Sequence, residues 1–143
     1  MLRRRLELLR ETLQALLGDR DACHNLGATY ATGDHGNWPE IRNVPAAVRW
    51  YKRGAKRGSP ECLYDLGLMS VLREFPGADP NAGIRSLVES ANKGYCDSIR
   101  LLADLYTRGL HGVSADQEQG EYWSRRLEEH LVRHPDDRRL HER

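Results

Sequence analysis

The pattern of apolar and small residues in this chain repeats three times at helical spacing. The first half of each repeat has a small residue, a leucine four positions later and another small residue directly after it, at Ala22, Leu26 and Gly27, at Cys62, Leu66 and Gly67, and at Ser98, Leu102 and Ala103. The second halves of the first two repeats end at Gly58 and Gly94, 36 residues apart. A fixed period in this range is typical of stacked helical hairpins, none of which can bury its apolar face alone.

A further amphipathic helix is predicted before the first repeat. Leucines recur there at three- and four-residue steps, and Gly18 ends the pattern. We therefore divide the chain into an N-terminal capping helix (1–18), three repeats (21–58, 59–94 and 95–127), and an extension of the last helix with a charged tail (128–143). The predicted fold is a single all-α domain, a right-handed α-solenoid of about seven helices.

Charge and hydropathy exclude some classes of protein. The 22 basic and 21 acidic side chains nearly cancel, which disfavours a nucleic-acid binder. No apolar run approaches the ~20 residues that a membrane-spanning helix needs. The basic start resembles a signal peptide, but Glu7 and Arg10 interrupt its apolar region. We expect a cytoplasmic protein, and a secreted protein whose signal peptide has been removed is the alternative.

The cysteines and histidines predict no covalent or metal chemistry. Cys23, Cys62 and Cys96 lie in different repeats, which places them roughly 10 Å apart, beyond the ~7 Å that a disulfide tolerates. Reduced thiols are therefore expected. Cys23 and the adjacent His24 point in different directions on a helix, so they do not form a catalytic pair. His130 and His134 could share a helical face, but the sequence places no third ligand near them, and we expect no metal or cofactor.

The repeated residues resemble the Sel-like repeat (SLR) family, which is related to tetratricopeptide repeats. The family pattern runs Ala-x-x-x-Leu-Gly-x-x-Tyr-x-x-Gly and later Ala-x-x-Trp-Tyr-x-x-Ala-Ala-x-x-Gly. Residues 22–58 and 98–127 match it well, and residues 62–94 match loosely.

The resemblance implies a non-enzymatic adaptor or scaffold that binds another protein. Small bacterial members include immunity proteins that neutralise a secreted toxin, which is the alternative function. A cysteine-rich secreted branch is linked to β-lactam binding or hydrolysis. The three cysteines depart from its pairing, so a small-molecule hydrolase is a distant alternative.

In such solenoids the first helix of each hairpin lines the concave side, which predicts a binding surface for the partner protein. Its residues form two rows across the repeats: His24, Tyr64 and Arg100, and Ala28, Leu68 and Asp104. Tyr64 and Leu68 form an apolar centre, flanked by Arg100 and Asp104. An apolar centre within a polar rim is typical of a protein interface. The alternative is that Tyr64 and Leu68 pack under the N-terminal helix or a loop. Trp38, in the enlarged loop 33–43, either anchors a partner or folds back over its hairpin.

Overall fold

The computed structural model describes residues 1–139 and contains no strand in that range. Its helices are α1 (Leu2–Leu16), α2 (Arg20–Thr32), α3 (Val44–Lys56), α4 (Pro60–Val71), α5 (Pro80–Asn92), α6 (Cys96–Arg108), α7 (Gln117–Arg133) and the short α8 (Asp136–Arg139), with a 3₁₀ turn at Pro39–Ile41. The predicted all-α class is confirmed, with seven longer helices. The end of the predicted charged tail, 140–143, lies outside the described residues.

Consecutive helices pack as hairpins, and the hairpins stack. The largest helix contacts join α2 to α3, α4 to α5 and α6 to α7, while α3 against α4 and α5 against α6 join one hairpin to the next. Two apolar clusters form the core, one built from α1 to α4 and the other from α4 to α7. None of the helices within residues 1–139 combines the length and the apolar character that crossing a bilayer requires.

Local sequence signals set where most of the helices begin. Side-chain oxygens accept hydrogen bonds from first-turn backbone N–H groups at five helix starts: Asp19, Asn43, Ser59, Asp79 and Asp116. These caps satisfy donors that have no partner inside the helix. Prolines in the first turns of α3, α4 and α5 reinforce the boundaries, since a first-turn N–H has no intrahelical acceptor.

Glycines inside the helices allow neighbouring helices to approach closely. A Cβ on Gly27 would lie closer than 3.0 Å to the ring of Tyr51. One on Gly67 would lie 2.8 Å from Leu87 Cγ and 2.9 Å from the carbonyl oxygen of Gly83. Helical glycine costs up to ~1 kcal/mol relative to alanine. The tight packing of each hairpin offsets this cost.

Different side chains fill the same position at the two junctions between hairpins. At the first junction, Cys62 Sγ occupies the space that a Cβ on Gly54 would need. At the second, Ser98 Oγ donates to Ser90 Oγ at 2.6 Å, and Ser90 Oγ donates to the carbonyl of Pro60 at 2.7 Å. The family pattern has alanine at each of these positions. At the first junction the sulfur of Cys62 fills the space beside Gly54, and at the second the two serine hydroxyls add buried hydrogen bonds.

The N-terminal helix lies against α2, but its leucine stripe faces away from the core. Ala15 is fully buried and Leu8 is half-buried against the first cluster. Five leucines spaced four and three residues apart are between 50% and 73% exposed: Leu2, Leu6, Leu9, Leu13 and Leu16. The face predicted from the leucine periodicity is therefore not the face that packs on the solenoid, because the small side chain of Ala15 allows the closer approach.

Candidate interaction surface

The first helices of the hairpins, α2, α4 and α6, carry six of the seven predicted binding residues. We call the surface that these three helices present to solvent the α2–α4–α6 face. His24 lies on α2 and is joined to α4, since its Nε2 is 2.9 Å from Asp65 Oδ2. Hydrogen bonding to Asp65 raises the pKa of His24 above its usual value; burial opposes this shift, and the charges of Asp65, Glu61 and Asp21 add to it. His24 is thus part of a polar link between two repeats.

Tyr64 lies at the edge of the core. It is half-buried against the second cluster, and its ring centroid lies 5.4 Å from that of Tyr95. Burial, followed by the charges of Asp97 and Asp65, raises the pKa of Tyr64. The pKa of Tyr95 is raised in the same way, with Glu61 also contributing. The two rings therefore form an aromatic pair within reach of three carboxylates.

The remaining residues of the two rows differ in exposure. Ala28 and Leu68 are half-buried, whereas Asp104 is exposed. Arg100 is half-buried; its Nη2 lies 3.9 Å from Cys96 Sγ, and its Nε has no hydrogen-bond partner among the described residues. Val71, further along α4, is 1% exposed and belongs to the core.

Acidic residues are concentrated where these helices begin. Asp21, Glu61 and Asp97 lie in the first turns of α2, α4 and α6. A carboxylate there is favoured by the partial positive charge of a helix N-terminus. Asp65 adds a fourth and is also hydrogen-bonded by the hydroxyl of Tyr51. Neither Asp65 nor Tyr95 lies in the two predicted rows, whereas the acidic first turn of each repeat is visible in the sequence.

Trp38 belongs to the α1 end of the molecule. The enlarged loop is held against α1, because Arg4 Nη1 donates to the carbonyl of Asn37 at 3.0 Å and lies 3.8 Å from Asp34 Oδ2. Trp38 is half-buried and lines a cavity of about 90 Å³ together with Leu8.

A second cluster of chemically active side chains lies at the other end. His130 Nε2 is 2.6 Å from Asp137 Oδ2, and the Cys96 thiol completes a group whose ligand atoms all lie within 4.8 Å of one another. We call Cys96, His130 and Asp137 the C-terminal cluster. The His134 ring centroid is 4.6 Å from that of His130. Spacing in the sequence could not reveal this group, because Cys96 is 34 residues from His130.

Comparison with known proteins supports the fold and the family resemblance. The family model described as Sel1 repeat matches residues 20–59 and 96–127, leaving out most of the second repeat. A Sel1 repeat protein from Oxalobacter formigenes is similar in structure, with a TM-score of 0.69 and 25% identity over 82% of this chain and 86% of that one.

A protective antigen with an SLR fold, from uropathogenic Escherichia coli strains, has a TM-score of 0.75 and 21% identity over 87% of this chain. The present chain spans 26% of the length of that antigen, and this likeness concerns the fold alone. None of the curated proteins compared matches the chain.

Proposed function

Because the chain belongs to the Sel1 repeat family, whose members generally mediate protein–protein interactions, we propose that it is a non-enzymatic adaptor that binds a partner protein on the concave side of its solenoid. The α2–α4–α6 face is the proposed binding surface. The observation that carries this proposal is the half-buried aromatic pair, Tyr64 and Tyr95, bordered by carboxylates.

Exposure and chemistry support this choice of surface. Aromatic side chains are enriched at the centres of protein interfaces, where they contribute most when water is excluded. Leu68 and Ala28 add apolar contact beside Tyr64, and His24 and Asp104 form a polar rim. Arg100 adds a half-buried guanidinium to this rim.

The charge of this surface predicts the chemistry of the partner. Glu61, Asp65 and Asp97 place negative charge around the aromatic pair, and Asp21 adds a further carboxylate near His24. Complementary charge speeds encounter and suppresses wrong partners. We therefore expect a partner segment with lysine or arginine around an apolar side chain that packs on Tyr64.

The test compares two tyrosine variants of the full chain. A partner is isolated by affinity capture with the native protein, and its binding is then measured by calorimetry. Tyr64→Ala should weaken binding by about 2 kcal/mol, or roughly 30-fold. Tyr122→Ala, on the exposed face of α7, is the matched control and should bind as the native protein does. A double charge reversal, Glu61→Lys with Asp104→Lys, tests the same surface and should slow association; it removes the hydrogen bond from Ser59 to Glu61 but no apolar core contact.

Two results would oppose the proposal. One is that Trp38→Ala abolishes binding while Tyr64→Ala and the charge reversal leave it unchanged, which would place the partner at the enlarged loop. The other is turnover of a small molecule by the purified chain. The measured affinity distinguishes an adaptor from a toxin-neutralising protein. Adaptors commonly bind with Kd values in the micromolar to nanomolar range, whereas a toxin-neutralising protein reaches Kd values towards ~10⁻¹³ M.

A further inference from the structure

We propose that the C-terminal cluster is a zinc-binding site that joins the start of α6 to the end of α7. Cys96 is the first residue of α6, His130 lies in the last turn of α7, and Asp137 lies on α8, after the chain turns at Pro135. Thiolate, imidazole and carboxylate are the three ligand types that zinc accepts in proteins. The site borders the proposed protein-binding surface, since Cys96 lies between Tyr95 and Asp97 in the chain and its sulfur is 3.9 Å from Arg100 Nη2.

The distances suit a metal ion after a small adjustment. Tetrahedral zinc, with bonds of about 2.0–2.3 Å, sets its ligand atoms roughly 3.3–3.8 Å apart. His130 Nε2 and Asp137 Oδ2 are now 2.6 Å apart, and all three ligand atoms lie within 4.8 Å. Shifts of about an ångström at each ligand would complete the geometry, and side-chain rotation can supply them.

The surroundings offer a fourth ligand and an entry path. His130, Asp137 and His134 line a cavity of about 450 Å³ that is open to solvent, so His134 or a water molecule can take the fourth position. Lys93, Arg126 and Arg133 also line this cavity and reduce its attraction for a cation, while Glu129 acts in the opposite direction. Burial raises the pKa of the Cys96 thiol, and the neighbouring Arg100 guanidinium opposes that shift.

Cobalt substitution tests the site directly. The full chain, freed of metal, is titrated with Co²⁺; a thiolate-to-cobalt charge-transfer band should appear at one equivalent and be removed by zinc. Cys96→Ser should abolish the band, whereas Cys62→Ala, which alters a cysteine outside the cluster, should retain it. His130→Gln and Asp137→Asn should each weaken zinc binding at least tenfold in competition with a chromophoric chelator.

Three outcomes would overturn the proposal: no thiolate band, a band that persists in Cys96→Ser, or zinc binding unchanged by Asp137→Asn. Stability supplies an independent readout. Zinc should raise the urea midpoint of the native chain but not that of Cys96→Ser. If His130 and Asp137 form only an ion pair, zinc will leave the native midpoint unchanged.

The exposed stripe on α1 carries a second, independent inference. We infer that Leu2, Leu6, Leu9, Leu13 and Leu16 dock an amphipathic helix of a partner protein, one whose apolar stripe is flanked by acidic side chains. Alternating steps of four and three residues are the spacing of a coiled-coil seam. Leu17, 89% exposed, extends the apolar area.

Charge along the stripe selects this occupant. Arg3, Arg5 and Arg10 occupy the helical positions that border the leucines, and all three are exposed. Glu11 accepts a hydrogen bond from Asn25 at 2.9 Å, and Glu7 pairs with Arg3 at 3.0 Å, so Arg5 and Arg10 are the flanking charges that make no ion pair within residues 1–139. A second copy of α1 would bring arginines against arginines in either orientation, whereas an acidic helix would form ion pairs on both sides.

Two designed peptides test this inference. Both carry leucine at the seam positions; one has glutamate and the other lysine at the flanking positions. The native chain should bind the glutamate peptide at least tenfold more tightly in fluorescence anisotropy. Reversing Arg3, Arg5 and Arg10 to glutamate should invert the preference, and Leu6→Ser with Leu13→Ser should abolish binding of both peptides. Because these side chains are exposed, the variants should keep the native urea midpoint.

Other occupants of the stripe would be recognised by different results. A native dimer in light scattering that dissociates in the Leu6→Ser, Leu13→Ser variant would show that a second copy covers the stripe. Binding to phosphatidylglycerol vesicles without binding to the glutamate peptide would show that a lipid surface does. Either result, or equal affinity for the two peptides, overturns the inference.

Discussion

The packing between Gly54 and Cys62 leads to a quantitative prediction about stability. At an exposed helical site, glycine to alanine stabilises a helix by up to ~1 kcal/mol. In Gly54→Ala the added carbon would lie closer than 3.0 Å to Cys62 Sγ and 3.1 Å from the Cβ atoms of Cys62 and Cys23. No rotation of the added methyl relieves this contact, because Cβ has a fixed position on the backbone.

The magnitude follows from the opposing effects. Overpacking a core commonly costs about 1–3 kcal/mol, so Gly54→Ala should lower the free energy of unfolding by ~1–2 kcal/mol after the helical gain. Cys62→Ala should lower it by ~1 kcal/mol through loss of the buried sulfur. In the double variant the new methyl occupies the space that the sulfur leaves. Its stability should therefore lie within ~0.5 kcal/mol of the native value, which corresponds to a coupling of about 2–3 kcal/mol.

Urea unfolding followed by far-ultraviolet circular dichroism measures all four proteins, and equal m-values would justify comparing them. The control cycle combines Cys62→Ala with Gly120→Ala, whose added carbon would crowd Thr107 and not Cys62. That cycle should be additive. If the Gly54 and Cys62 changes are also additive within ~0.5 kcal/mol, the two residues do not share one space and the reasoning is wrong.

Three further predictions concern the turn of the second repeat, the polar link and the thiols. Arg73 has a φ of +54° where the third repeat has Gly109 at +64°, so Arg73→Gly should raise the free energy of unfolding by ~1 kcal/mol in urea, and Gly109→Ala should lower it. The pKa of His24 is raised in the folded state above its ordinary value of 6.5. Protonated His24 therefore stabilises the folded protein below about pH 6.5, and this contribution is lost as the pH rises through the folded pKa. The difference in free energy of unfolding between the native chain and Asp65→Asn should be larger at about pH 5.5 than at about pH 8.5. In thiol titration the denatured chain should expose three free thiols and the native chain only Cys96 rapidly, since the other two are fully buried; a native chain with three fast thiols would contradict the packing described.

Most of the fold follows from the sequence because its determinants are local or periodic. Helix starts depend on a capping side chain and its first turn, as at Asp19 and Asn43. The small residues Gly27 and Gly67 predict close helix contacts, because a helical glycine needs a compensating approach. Neighbouring repeats meet through equivalent positions, so periodicity also predicts the stacking of hairpins.

The placement of Tyr64 shows where the sequence was less decisive for the binding surface. Its position in a row across the first helices was predictable, but its partial burial against Tyr95 was not. Tyr95 precedes α6 and has no equivalent aromatic in the other repeats. A pattern taken from one repeat cannot predict a contact that only one repeat makes.

Tertiary structure alone decided which face of α1 packs on the solenoid and which side chains meet at the C-terminal cluster. The leucine periodicity of α1 identifies an apolar face, but the face of α1 that packs on α2 is the one that carries Ala15. The distance between two packed helices depends on the size of the side chains between them, and alanine allows a close approach. Cys96 and Asp137 reach His130 from two other helices. Such meetings depend on distances between helices that are far apart in the chain, and a linear pattern of residues does not contain those distances.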